Sequence, residues 1–262
     1  MESSNPVFKR GYAAMSNRGS VASAPSTQEL NDLYNAPAAS SVRTGRMTID
    51  DVVTRTGILF TVLVASGAFA WSVNLRLGIA MISMIAAMIL GFVLTMKARV
   101  IPGLAIAYAA LEGLAIGTIS HYYETAYPGI VSQAIIGTLA AFVGVLFAYK
   151  SGRIRVTPKF TRMMSIAMMG YMFVALASFI SAMFGVGRGY GFYGVGGIGV
   201  LLCVAGVGLA TFFLVMDFDQ VEKMIAAGAP HDEAWRAGFG LMVTIVWLYL
   251  EILRLLSILR DR

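Results

Sequence analysis

The chain has 262 residues, 58% of them hydrophobic and only 13% charged, with a mean hydropathy of +0.74. A water-soluble globular domain of that composition would expose too much apolar surface, so the chain reads as an integral membrane protein. The formal net charge of +6 does not indicate nucleic-acid binding, because the basic residues stand at the ends of apolar runs and not in one patch with interleaved aromatics.

Residues 1–46 are rich in Ser, Asn, Ala and Pro, carry scattered charge and show no sustained apolar period. They read as a disordered cytoplasmic N-terminal tail. No apolar segment of signal-peptide length follows Lys9-Arg10. Met47-Thr48-Ile49-Asp50-Asp51 then has the form of a helix start, with Thr48 as cap and acids in the first turn. Residues 47–262 form the membrane domain. Seven apolar runs follow, at about 57–73, 77–96, 100–119, 130–149, 163–184, 195–216 and 237–259, each near the ~20 residues that cross a bilayer core. The first run is expected to extend back toward Asp51. Short connections make consecutive helices antiparallel neighbours, which predicts an all-α compact bundle of about seven transmembrane helices.

Between the third and fourth runs, His121–Gly129 contains three tyrosines and no basic residue, as expected of an outer loop in an aromatic belt. His121, and His231 further on, are expected to be solvated loop histidines. Gly113-x-x-x-Gly117 reads as a helix-packing contact. The stretch Gly185–Gly199 contains a formal G-x-G-x-x-G match at Gly194, Gly196 and Gly199, but it follows a spanning helix and not a strand, so the dinucleotide mechanism is missing. A flexible outer loop running into a closely packed helix is expected there. Cys203, the single cysteine, lies in the sixth run and excludes an internal disulfide or a cysteine metal cluster. Helical character continues past that run through Ala227 and stops at Gly228-Ala229-Pro230.

With the N-terminus inside, the inner segments hold Lys9, Arg10, Arg18, Arg43, Arg46 and Arg55, then Lys97 and Arg99, then Lys150, Arg153, Arg155, Lys159 and Arg162, then Lys223 and Arg236. The outer side holds only Arg76, Arg188, Arg254, Arg260 and Arg262. This bias predicts a multi-pass protein of the plasma (inner) membrane with a cytoplasmic N-terminus. The basic C-terminal end is discordant, which leaves either a seventh full crossing or a final re-entrant helix.

The intramembrane acids carry the most chemical information, because a carboxylate in a span faces protein, a partner or water. Glu251 sits in the middle of the last run, with Thr244 seven residues before it and Arg254 three after, on one helical stripe. Glu112 lies ~18 Å into the third run and Glu251 ~21 Å into the last, counted from the same side. Asp217 and Asp219 close the sixth run two residues apart, so only one can face the interior. Lys97, Arg99 and Arg254 are the candidate charge partners. Two carboxylates in a dry cavity cannot both ionise without a cation or a proton between them, and ionised they are hard oxygen ligands suited to Ca²⁺. Neutralisation of Glu251 by Arg254 or another basic residue, with only a packing role, is the alternative.

In Asp217-Phe-Asp219-Gln220, Leu248-Tyr249-Leu250-Glu251 and Glu112-Gly113 the chain resembles the transmembrane Bax inhibitor motif family. That family includes bacterial calcium-leak channels and modulators of a membrane-bound AAA protease. The resemblance spans roughly residues 50–262, and Glu251 stands where the family motif has Asp. By resemblance, Asp217 and Glu251 are the paired, metal-binding and pH-sensing carboxylates, with Asp217 rather than Asp219 facing the interior. A hairpin count places Asp217 twelve residues before Ala229 and Glu251 twenty-two after it. Pairing therefore needs an asymmetric connection; otherwise Glu251 sits nearer Glu112.

The implied function is a pH-sensitive cation leak channel or transporter, with Ca²⁺ as transported or bound ion and no other cofactor. The partners are then the lipid bilayer, an inorganic cation and protons. The alternative is a non-conducting regulator that binds a membrane protease or other membrane protein. An enzyme is not expected: no histidine lies deep in a span, and the Gly-x-Gly-Asp motif of an intramembrane aspartyl protease is missing.

Overall fold

The computed structural model describes residues 45–97, 100–152 and 154–261. The tail expected over residues 1–46 falls almost wholly outside these, as does Arg99. Seven long helices make up the described chain: α1 (Ile49–Ser72), α2 (Leu77–Met96), α3 (Pro102–Ala126), α4 (Ile130–Lys150), α5 (Pro158–Met183), α6 (Gly196–Ala226) and α7 (Glu233–Arg260). All seven are long and apolar enough to cross a membrane. The chain is an all-α integral membrane bundle.

Several helices begin further upstream than hydropathy alone indicates, and capping explains why. Thr48 caps α1 through a reciprocal box: its hydroxyl accepts from the Asp51 N–H at 3.2 Å while the Asp51 carboxylate accepts from the Thr48 N–H at 3.0 Å. Pro158, tolerated in a first helical turn, follows the Thr157 cap of α5. The start of α4 has no cap of its own. Glu124, near the end of α3, reaches across the turn and accepts from the Gly129 and Val131 N–H groups at 2.6 and 3.0 Å, satisfying donors that a helix start leaves orphaned.

α3 and α7 are the interior helices. α3 packs most extensively on α1, and α7 touches α1, α3, α4 and α6. The α1–α3 approach depends on Gly67, Gly113 and Gly117. A Cβ at Gly117 would lie 2.6 Å from the Gly67 Cα, and one at Gly113 would collide with the Leu63 carbonyl and the Ser66 hydroxyl. The Gly-x-x-x-Gly spacing thus lets two backbones touch. α5 is peripheral, held by α6 and the glycine-rich turns before it. Its outer face, with Phe173 70% exposed, is the apolar surface that a bilayer would cover.

The structure settles one open choice, corrects one expectation and adds detail to a third. The final helix is continuous from Glu233 to Arg260, and its end returns a hydrogen bond from Arg260 to the Pro128 carbonyl at 2.8 Å, on the side opposite its start. It crosses the bundle and does not re-enter. His121 is not in a loop: α3 runs on to Ala126, and only Tyr127-Pro128-Gly129 turns. The His121 ring stands edge-on to Trp71 at 5.0 Å with its Nδ1 buried. The loop expected to be flexible at Gly185–Gly199 forms two 3₁₀ turns, Val186–Gly189 and Gly191–Gly194. Gly191 has φ +61° and touches the Ser178 carbonyl where a Cβ would clash, while the Ser178 hydroxyl accepts from the Phe192 N–H at 3.0 Å.

Before α1, the chain joins the α6–α7 turn. The Met47 N–H donates to the Ala229 carbonyl at 2.8 Å and the His231 N–H to the Gly45 carbonyl at 2.9 Å. Met47, 2% exposed, packs in one cluster with Leu214 and Val215 of α6 and Ala237 and Leu241 of α7. His231 keeps a half-exposed side chain, yet its Nε2 lies 3.0 Å from an Asp51 carboxylate oxygen, so it is not simply solvated.

Candidate functional site: two acidic cavities

Asp217 stands nine residues from the C-terminal end of α6, or ~14 Å along the helix. The Asp217 carboxylate faces the interior, with its Oδ2 buried without a hydrogen-bond partner. It lines a cavity of ≈380 Å³ together with Tyr108, Thr244 and residues of α2 such as Gly91. Tyr108 stands one turn before Glu112 on α3. Glu112 lies ten residues from Pro102, ~15 Å from the same face, so Glu112 and Asp217 share a level. Asp219, two residues on, turns away and is held by Lys223 at 2.5 Å. The interior acid of the pair is Asp217.

Glu251 occupies a different level. It lies eighteen residues from Glu233, ~27 Å along α7, and two turns beyond Thr244. The sequence-based depth of ~21 Å started the helix at Ala237 and so fell short by one turn. The carboxylate is 3% exposed. Its Oε1 accepts from the Tyr171 hydroxyl at 2.5 Å, the Trp247 indole at 3.2 Å and the Arg254 guanidinium at 3.5 Å. Tyr171 in turn meets the Tyr193 hydroxyl at 2.9 Å, and the Arg254 guanidinium carbon lies 4.5 Å from the centre of the Tyr193 ring. Oε2 is buried without a hydrogen-bond partner, close to the α6 backbone at Gly206, where a Cβ would be 2.8 Å away. The glycine is what admits the carboxylate between α5, α6 and α7.

Asp217 and Glu251 therefore do not form the joint pair that the resemblance implied. The α6–α7 connection is too short to absorb the ten-residue offset across the hairpin, so Asp217 meets Thr244 and Glu251 stands two turns past it. Nor does Glu251 meet Glu112. Among the described residues no group of three or more His, Cys, Asp or Glu converges. Lys97 is also no partner of Glu251: it is exposed at the end of α2, where its carbonyl accepts from Arg236 at 3.0 Å. Arg254 is the partner.

A sequence model of the family described as Bax inhibitor 1 like matches residues 5–261, essentially the whole chain. The chain belongs to that family. A comparison with curated proteins returned no match. Since the match begins at residue 5, it takes in nearly all of the N-terminal tail that the motif resemblance left out. In this Bax inhibitor 1-like protein the Leu-Tyr-Leu-Glu segment divides its labour. Leu248 is fully buried, the Tyr249 hydroxyl meets Ser120 of α3 at 2.7 Å, and Glu251 turns to α5. The sequence reading missed Trp247, which its place one turn before Glu251 could have revealed. Tyr171 and Tyr193 were not legible, since nothing in the sequence reports which face of α5 or of the glycine turns meets α7.

Proposed function

We propose that this protein is a pH-responsive cation pathway with calcium as cargo, gated between Asp217 and Glu251. The observation that carries the reading is two acids in two cavities, at separate levels of one helix pair. Between the levels stand Leu214 and Leu248, both 0% exposed. An apolar layer between two acidic chambers is the arrangement of a closed pathway, since an ion there would lose its water without gaining ligands. Asp217 suits passage better than retention. The Thr244 hydroxyl in the same cavity and one unpartnered carboxylate oxygen fall far short of the six to eight oxygens of a tight Ca²⁺ site. Protonation removes the anionic charge, so flux is expected to rise as pH is raised.

A second reading, a non-conducting regulator of a membrane protease or other membrane partner, is favoured by Glu251 itself. Three donors, one of them Arg254, already satisfy its Oε1, as in a residue that fixes helix packing. Neither reading is enzymatic. Both place the protein in the inner membrane with its N-terminus in the cytoplasm, which cysteine labelling in a Cys203→Ser background tests.

Calcium flux into vesicles holding the purified protein decides between them. Conduction predicts a flux that rises with pH in wild type and is flattened in Asp217→Asn. A wild type that passes no cation at any pH leaves the regulator.

A further inference from the structure

The cavity at Glu251 has an order of chemistry along its length that cation passage does not use. It lies between α3, α5 and α7 and has a volume of ≈930 Å³, large enough for an organic ligand. Where α3 and α7 end, its walls are Tyr122, Tyr127 and Asp261. About two turns deeper on α7 comes Arg254, with its partner Glu251 one turn on, and beyond them Trp247 and, from α5, Met172. Acid with aromatic rings first, guanidinium next and apolar wall last is the sequence ammonium, phosphate, acyl chain of a zwitterionic phospholipid in one leaflet.

The cavity opens sideways. α5 packs on α6 and the glycine turns rather than on α3. Tyr122 (52% exposed) on α3 and Met172 and Phe179 (59% each) on α5 border the gap, so a lipid reaches it without leaving the bilayer. The recognition groups are built and not adventitious. Arg254 is fixed by the buried Glu251 on one side and the Tyr193 ring on the other, and a guanidinium held this way presents its remaining N–H groups to a phosphate. Tyrosine faces attract an ammonium group, and among the described residues no cation lies over Tyr122 or Tyr127.

We propose that this cavity binds the zwitterionic headgroup of an aminophospholipid, with phosphate on Arg254 and ammonium among Tyr122, Tyr127 and Asp261. The full-length protein is reconstituted in vesicles of mixed phosphatidylethanolamine and phosphatidylglycerol, extracted, and its retained lipid counted by native mass spectrometry. Wild type is expected to retain phosphatidylethanolamine over phosphatidylglycerol by about tenfold, a difference of ~1.4 kcal/mol. Arg254→Gln should lower the retention of both lipids, because both carry the phosphate. Because Arg254 also supports Glu251, a Tyr122→Leu, Tyr127→Leu double variant provides a second arm that leaves that contact intact, and it should lose most of the preference, since only the ammonium distinguishes the two lipids. Equal retention of the two lipids by wild type, or an unchanged preference in the double variant, overturns the proposal. Soluble O-phosphoethanolamine separates the sources: affinity weaker than the lipid by about a hundredfold or more supports a lipid, and equal affinity overturns it in favour of a soluble zwitterion. Ion flux is no part of this readout, so its outcome is independent of the conduction reading.

Discussion

Asp217 and Glu251 are both interior acids on the α6–α7 pair, yet their surroundings differ in kind. Glu251 gathers a phenol, an indole and a guanidinium on one oxygen, and two of these partners, Tyr171 and Arg254, are themselves tied to Tyr193. Asp217 shares a cavity with Thr244. Donors to a carboxylate fix its position, so the number of donors separates an anchored carboxylate from a loosely held one. Two acids that a motif treats as a pair thus divide into a fixed one and, on the proposed reading, an exchangeable one.

The largest effect that would break this contrast is on transport. Asp217→Asn removes the charge at the exchangeable level while keeping the Thr244 contact available, and is expected to lower calcium flux by about tenfold or more, the scale of losing ~1.4 kcal/mol or more of cation interaction. Circular dichroism of the reconstituted protein should stay unchanged. If Asp217→Asn conducts like wild type, the exchangeable acid is elsewhere.

Stability sharpens the contrast next. Tyr171→Phe takes the 2.5 Å donor from a buried carboxylate, and hydrogen bonds to charged groups contribute about 1.5–3 kcal/mol. Thr244→Val, at the other acid, should cost nearer 1 kcal/mol, because that contact is a lone hydroxyl. Thermal unfolding in detergent should therefore rank Tyr171→Phe below Thr244→Val. The opposite ranking would mean that Asp217 is the anchored acid.

Gly206→Ala acts on the Glu251 level alone. Its Cβ would fall 2.8 Å from the Glu251 carboxylate and 2.7 Å from the Tyr171 hydroxyl, contacts too short to keep. Overpacking of this kind costs about 1–3 kcal/mol. Here the flexible ends of two side chains can yield, so the lower end of that range is expected. Loss of stability with calcium flux retained would agree with an anchoring Glu251, whereas flux lost at unchanged stability would make Glu251 the exchangeable group.

How much of this was legible follows from which interactions are local. Helix number, the Thr48–Asp51 box, the stop at Gly228 and the Gly113/Gly117 contact each depend on residues within a few turns of one another, and all were readable. The inward choice of Asp217 over Asp219 came from the motif; that the two cannot share a face followed from helical geometry. The register between α6 and α7 was only half readable. The hairpin count warned that Asp217 and Glu251 were offset, but the family motif favoured pairing, and register won. Tyr171, eighty residues from Glu251, lay beyond any local signal. The same holds for Glu124, whose capping role depends on α3 and α4 meeting at a tight turn.

The smallest expected effect is at Asp219. It is held by Lys223 one turn along the same helix, at 2.5 Å, with the lysine 64% exposed. Pairs of this spacing contribute about 0.3–0.5 kcal/mol and are screened by salt. Asp219→Asn should therefore shift the unfolding midpoint barely, and less still at high ionic strength. It should also leave calcium flux near wild type, because a residue ~200° around the helix from Asp217 cannot line the same cavity. A vesicle assay that runs Asp217→Asn and Asp219→Asn side by side holds charge change and helix constant and varies only the direction the side chain faces. If Asp219→Asn suppresses flux and Asp217→Asn does not, the conducting face of α6 is the one that carries Lys223, and the cavity at Asp217 is structural.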